Sequence, residues 1–142
     1  MKKSDTLPIL TVLLSLLLSI PAAGQITNSL NFETTFPFYA GNVKLPAGAY
    51  RVAPATESVS LLLIESADGS HSAFLECTPT NSESPHAQTD VTFNKYGKID
   101  FLNLLWVGGQ TYGMQVAPTK FEQATAKGAS PVRHSVAGKG GT

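Results

Sequence analysis

Charge is scarce in this chain of 142 residues. Asp, Glu, Lys and Arg make up 14%, and the 10 basic and 10 acidic residues cancel; an ordinary soluble domain carries about a quarter charged residues. A neutral chain has no long-range field to draw in nucleic acid or an anionic membrane surface. Cysteine is nearly absent. With Cys77 alone, no internal disulfide is available, so the core has to come from hydrophobic burial. Histidine is limited to His71, His86 and His134, and no pair has the short spacing of a metal site. G-x-S-x-G is missing, Cys77 has no Cys/His signature around it, and the C-terminal GKGGT lacks the strand and helix of a phosphate loop. The expectation is no catalytic residue, no metal site and no cofactor.

A membrane-length apolar run is missing too. An uncharged apolar stretch of about a dozen residues, ILTVLLSLLLSI over Ile9–Ile20, is short of the roughly 20 residues a spanning helix needs. Lys2 and Lys3 precede it, Pro21 ends it, and Ala22-Ala23-Gly24 supplies small residues. This is the pattern of a secretory signal peptide, residues 1–24, with cleavage after Gly24. No twin arginine precedes the run and no cysteine follows it, which points to the general secretory route and excludes a lipoprotein. Export to the periplasm or the medium is expected, with no membrane span after cleavage. Removing Lys2, Lys3 and Asp5 from the 10 basic and 10 acidic residues leaves a net charge of −1.

What is present is short alternation between turn signals. In NFETTFPF, Phe32, Thr34, Phe36 and Phe38 share one face, the period-two pattern of a half-buried strand. Gly41-Asn42 and Pro46-Ala47-Gly48 are turns, and Phe36, Phe38, Leu45, Tyr50 and Val52 are expected to meet in the core. SVSLLLIES and HSAFLEC flank Asp68-Gly69, a strong hairpin signal, and Cys77 at the end of the second strand reads as a buried thiol. A polar connection follows at residues 78–89. DVTFNKY, IDFLNLLWV and QTYGMQVA come next, separated by Gly97-Lys98 and Gly108-Gly109. The predicted fold is all-β: a small antiparallel β-barrel or β-sandwich of about eight short strands over 25–118. Thr119 with Glu122 three residues on is a capping box, which predicts a short helix over 119–127. The last segment, 128–142, is small, polar and aperiodic, and reads as a disordered tail.

Two strands break the alternation. In SVSLLLIES, Val59, Leu61 and Leu63 fill one face while Leu62 and Ile64 fill the other. In IDFLNLLWV, Leu102, Leu104 and Trp106 oppose Ile99, Phe101, Leu105 and Val107. A strand apolar on both sides is covered on both sides or touches something else. One outcome is cover by the C-terminal helix or a second sheet. The other is a partner surface or apolar groove built from Leu62, Ile64, Leu102, Leu104 and Trp106, for a protein, an apolar small ligand or a second copy of the chain. An enzyme reading would need Glu65, His71, Glu76 and Asp100 to converge in one pocket.

Taken together, FPFYAGNVKLPAGAYRV, LLLIESADGSHSAF, VTFNKYG and WVGGQTYG resemble a group of small exported proteins common in acidobacterial genomes. The likeness covers about residues 32–117. It implies an exported β-domain and transfers no active site. L-P-A-G-x-Y-x-V also looks like a turn of immunoglobulin-like surface modules of the Cna-B and carboxypeptidase-regulatory kinds. There it comes late in the domain; here it spans Leu45 to Val52, so the likeness is one of turn chemistry. The function these observations imply is an exported, non-enzymatic binding or interaction module. The alternatives are a structural subunit of a surface assembly and a small hydrolase or isomerase with a site in the barrel mouth.

Overall fold

A computed structural model describes residues 29–57 and 60–140. The signal-peptide expectation falls on residues 1–24, outside the described residues. Ten strands and one helix follow in order: β1 Leu30–Thr34, β2 Phe38–Ala40, β3 Val43–Leu45, β4 Gly48–Pro54, β5 Leu61–Ser66, β6 Ser72–Asn81, β7 Asp90–Tyr96, β8 Ile99–Trp106, β9 Tyr112–Val116, α1 Lys120–Ala126 and β10 Val132–Gly140. Eight of the strands close into a barrel, in the order β8-β7-β10-β1-β4-β5-β6-β9, with β9 pairing back onto β8. Of the two architectures the sequence left open, the barrel is the one adopted. Its neighbours around the ring are all antiparallel.

The β2–β3 hairpin lies outside this ring. It joins β8 in parallel through a single residue pair, Tyr39 with Phe101. Its turn at Gly41 sits beside the Phe74 carbonyl of β6. It thus covers the part of the wall where β8 has not yet met β9, whose pairs with β8 begin at Leu104. β1 and β2 together hold the alternation read in NFETTFPF. The chain bends between them, where the Thr34 hydroxyl donates to the Phe36 carbonyl at 3.0 Å and Pro37 interrupts the strand.

The interior is filled. Phe38, Leu45, Tyr50 and Val52 are buried as expected, with Phe36 half-buried against them. Phe32, Phe38, Tyr50 and Phe93 form a ring cluster with centroid distances from 5.2 to 6.3 Å. Aromatic contacts of this geometry add to simple area burial. Cys77 faces the same core, and burial pushes its thiol up to about 12.

β8 explains why its alternation could not be read. Phe93 pairs with Leu102 and Thr92 with Leu104, so Asn103 is the extra residue of a β-bulge. The parity flips there. Leu102, Leu105 and Val107 all join the core, while Phe101 packs outside it against Tyr39 and Phe121 of α1. The helix has the predicted cap: Glu122 N–H donates to the Thr119 hydroxyl at 3.1 Å.

The disordered tail is corrected. Residues 132–140 form β10, paired with β7 from Val132 to Ala137 and with β1 from Gly138 to Gly140. Hydrophobicity is a poor guide to such a strand, because a strand that completes a ring is held by ladders on two sides. The 78–89 connection is shortened as well: β6 runs on to Asn81 and pairs with β9. The remaining loop is strapped to the β8–β9 turn. Ser82 N–H donates to Thr111 O at 2.7 Å, His86 N–H to Gln110 O at 3.0 Å, and Gly109 N–H to His86 O at 2.7 Å. Thr89 clasps both sides, its hydroxyl donating to Gly140 O at 2.7 Å and accepting from Gly108 N–H at 3.0 Å.

Candidate binding surfaces

The apolar strip expected around Trp106 does not exist as one surface. Leu62, Ile64 and Leu102 are core residues, each no more than 2% exposed. Leu104 and Trp106 do face outward, opposite Thr92 and Gly113. Trp106 is already occupied. One part of its ring lies against Gly113, where an added Cβ would sit 2.6 Å from Trp106 Cε3. His86 stacks on it at a centroid distance of 4.2 Å and 16°.

β5 has the opposite phase to the one that would make Leu62 and Ile64 a surface. Its outward residues are Leu61 and Leu63, both half-buried. Leu63 pairs with Ala53 on one side and Phe74 on the other. This makes a three-strand apolar row, Ala53–Leu63–Phe74, in which Phe74 is 64% exposed. Arg51 and Glu65 flank the row one step away, and Leu61 pairs with Glu76 on its other side. Phe74 escaped the sequence reading, although the signal was there. Cys77 buried by period two puts Leu75 and Ala73 inward and Phe74 outward.

The residues of the enzyme reading do not converge. His71 lines a depression with Asp68, Ser66 and Tyr50; Glu76 lines another with Leu61 and Ala117; Asp100 lines a third with Pro37, Tyr39, Lys44 and Lys98. Asp68 serves the hairpin. It accepts from the Ser66 hydroxyl at 2.6 Å and from the Ser70 hydroxyl and N–H at 2.7 and 3.0 Å. These bonds hold its carboxyl well below the usual carboxylate range.

Asp100 instead meets His134, a residue placed by β10 and so invisible while that strand was read as tail. Asp100 is 5% exposed, and His134 Nε2 lies 2.5 Å from its Oδ1. The imidazole also packs on Phe36 and Phe93 at 4.9 and 5.7 Å. The buried carboxylate is thereby satisfied, and the pair ties β10 to β8 across β7. No nucleophile completes it among the contacts described. On the outer wall, Asn94 links Arg133 and Glu122: Arg133 Nε donates to its Oδ1 at 3.3 Å, and its Nδ2 reaches Glu122 Oε1 at 3.5 Å. Glu122 is the buried residue of α1, and burial raises its carboxyl, partly offset by that Asn94 contact. Among the described residues no three His, Cys, Asp or Glu side chains are grouped to hold a metal.

One concavity lies on the outside of the barrel. A groove of about 490 Å³ runs over β10, β1 and β4, with Asn31, Glu33, Arg51 and Lys139 around an alanine floor. Comparison with protein-family models, with curated proteins and with solved structures gave no match for this chain.

Proposed function

We propose that this protein is an exported, non-enzymatic interaction module that engages a protein partner through the outer face of β4, β5 and β6. One observation carries the reading. Phe74 stands 64% exposed in direct register with Leu63 and Ala53, and an exposed aromatic anchor on an apolar, charge-flanked patch is the composition of an interface centre. The interior supports it, since Leu30, Phe32, Phe38, Tyr50, Val91 and Phe93 pack there with their neighbours as one hydrophobic cluster. An apolar inside with Asn31, Glu33, Arg51 and Lys139 outside is also the reverse of a membrane barrel. Ring closure counts against assembly by edge pairing, because a closed sheet offers no ladder edge and the hairpin strand β3 is only three residues long. Export rests on the sequence pattern of residues 1–24, and kinship with the acidobacterial group on the motifs over residues 32–117.

The test is site-specific photo-crosslinking in the expressing cells, with a benzophenone amino acid at position 74 and, as control, at the exposed Gln115. A discrete adduct from position 74 alone is expected. Equal labelling from both positions, or none from position 74, sinks the reading. Edman sequencing of the same product is expected to begin at Gln25, and a product retaining Met1 would refute export by cleavage.

A further inference from the structure

We infer that the groove over β10, β1 and β4 binds a carboxylated sugar chain, a polyuronate, at a site separate from the Leu63–Phe74 face. The volume of about 490 Å³ is within the range of small-ligand sites. Two rows of side chains define it. Lys139, Asn31 and Arg51 are direct cross-strand neighbours, so at about 4.8 Å per strand step an amide stands between two cations. One step along the strands, Glu33 pairs with Ala49, and Ala67 and Ala137 complete the floor. All of these residues are exposed. Among the described residues neither Arg51, Lys139 nor Glu33 belongs to an ion pair, although Glu65 stands opposite Arg51 on β5.

This set matches one ligand chemistry better than its neighbours. Arg51 offers the two-pronged geometry a carboxylate takes, and Lys139 adds a point charge. Asn31 both donates and accepts, and Glu33 accepts, which suits ring hydroxyls. The alanine methyls give the C–H face of a sugar a flat apolar bed. A fatty acid would need an enclosed apolar cavity, and this groove is lined by the exposed Asn31, Glu33, Arg51 and Lys139. A nucleotide base would want an aromatic face, yet the two rings lining the groove, Phe32 and Tyr50, are 5% and 3% exposed and belong to the core. The open, shallow form favours an extended chain over a small molecule that must be enclosed.

The experiment is titration of the full-length protein with trigalacturonate at low ionic strength, followed by amide NMR shifts. Saturable shifts are expected at residues 31–33, 49–51 and 137–139, weakening as salt rises. Maltotriose, the uncharged counterpart, should bind at least about tenfold more weakly. The double variant Arg51→Ala/Lys139→Ala should lose at least about tenfold in affinity at unchanged Tm, since both side chains are exposed. The inference is overturned if those amides do not shift, if maltotriose binds equally well, or if the double variant keeps its affinity. It is equally overturned if inorganic phosphate or dialanine competes at the same concentration as the trimer, which would make the groove a general anion or peptide site. None of these outcomes depends on crosslinking at position 74.

Discussion

β5 and β10 are both wall strands of one barrel, and they share almost nothing in sequence. β5 is LLLIES, apolar on both faces; β10 is VRHSVAGKG, with no fully buried side chain. β5 is held by what it buries: Leu62 and Ile64 are 2% and 0% exposed. β10 is held largely by its backbone, through ladders to β7 and β1, with side-chain ties from His134 to Asp100, Arg133 to Asn94 and Ser135 to Thr92. A closed ring therefore tolerates a polar strand wherever the two neighbours are already fixed. The comparison also shows where a surface comes from. β5 has apolar residues to spare on its outer face; β10 contributes small and charged ones, and these shape a groove.

The largest effect should come from removing β10. A chain ending at Ala129 is expected to lose its cooperative thermal transition and near-ultraviolet circular dichroism, and to expose the Cys77 thiol to a disulfide reagent that the intact protein resists. A truncated chain with the parent's Tm would restore the tail reading. Next comes a contrast within β5. Ile64→Ala should cost about 2–5 kcal/mol, the range for emptying a core site, while Leu63→Ala, on the outer face, should cost under about 1 kcal/mol. Urea unfolding measures both, and equal losses would mean the phase of β5 is misassigned.

Gly113→Ala is next in size. An added Cβ would sit 2.5 Å from the Leu105 carbonyl oxygen and 2.6 Å from Trp106 Cε3. Overpacking of this kind costs about 1–3 kcal/mol, and the tryptophan emission should shift as the ring moves. The smallest effect concerns Glu122. Burial raises its folded carboxyl pKa above the unfolded value, so its stabilising share is full below the unfolded pKa and is lost as pH rises through the folded one. Glu122→Gln should therefore be slightly more stable than the parent at neutral pH, with the gap closing on acidification. A gap that widens on acidification would contradict the burial argument.

Much of this fold was legible. The turns at Gly41, Gly69, Gly97 and Gly109 all take positive φ, where glycine is the residue that fits. The capping box marked α1, and the alternation from Phe32 to Val52 marked the core. What escaped did so for physical reasons. Asn103 shifts the phase of β8 by one residue, and a bulge leaves no compositional mark. In β5 both phases are equally apolar, so periodicity cannot choose, and only the neighbouring strand decides. β10 carries its fold information in the edges of β7 and β1 instead of in its own side chains. The groove escaped because Asn31, Arg51 and Lys139 belong to three strands brought together only by ring closure. Phe74 was within reach, through the parity of Cys77.

The pairing of Leu30 with Gly140 also sets a clock. The first strand of the barrel waits for the last, so the ring cannot shut before β10 is present. Until residue 140 has left the ribosome, β1 and β7 each lack a partner on one side, and the non-local contacts that reward closure are not yet available. Closure therefore rests on the contacts of longest sequence separation in the barrel, those between β1 and β10.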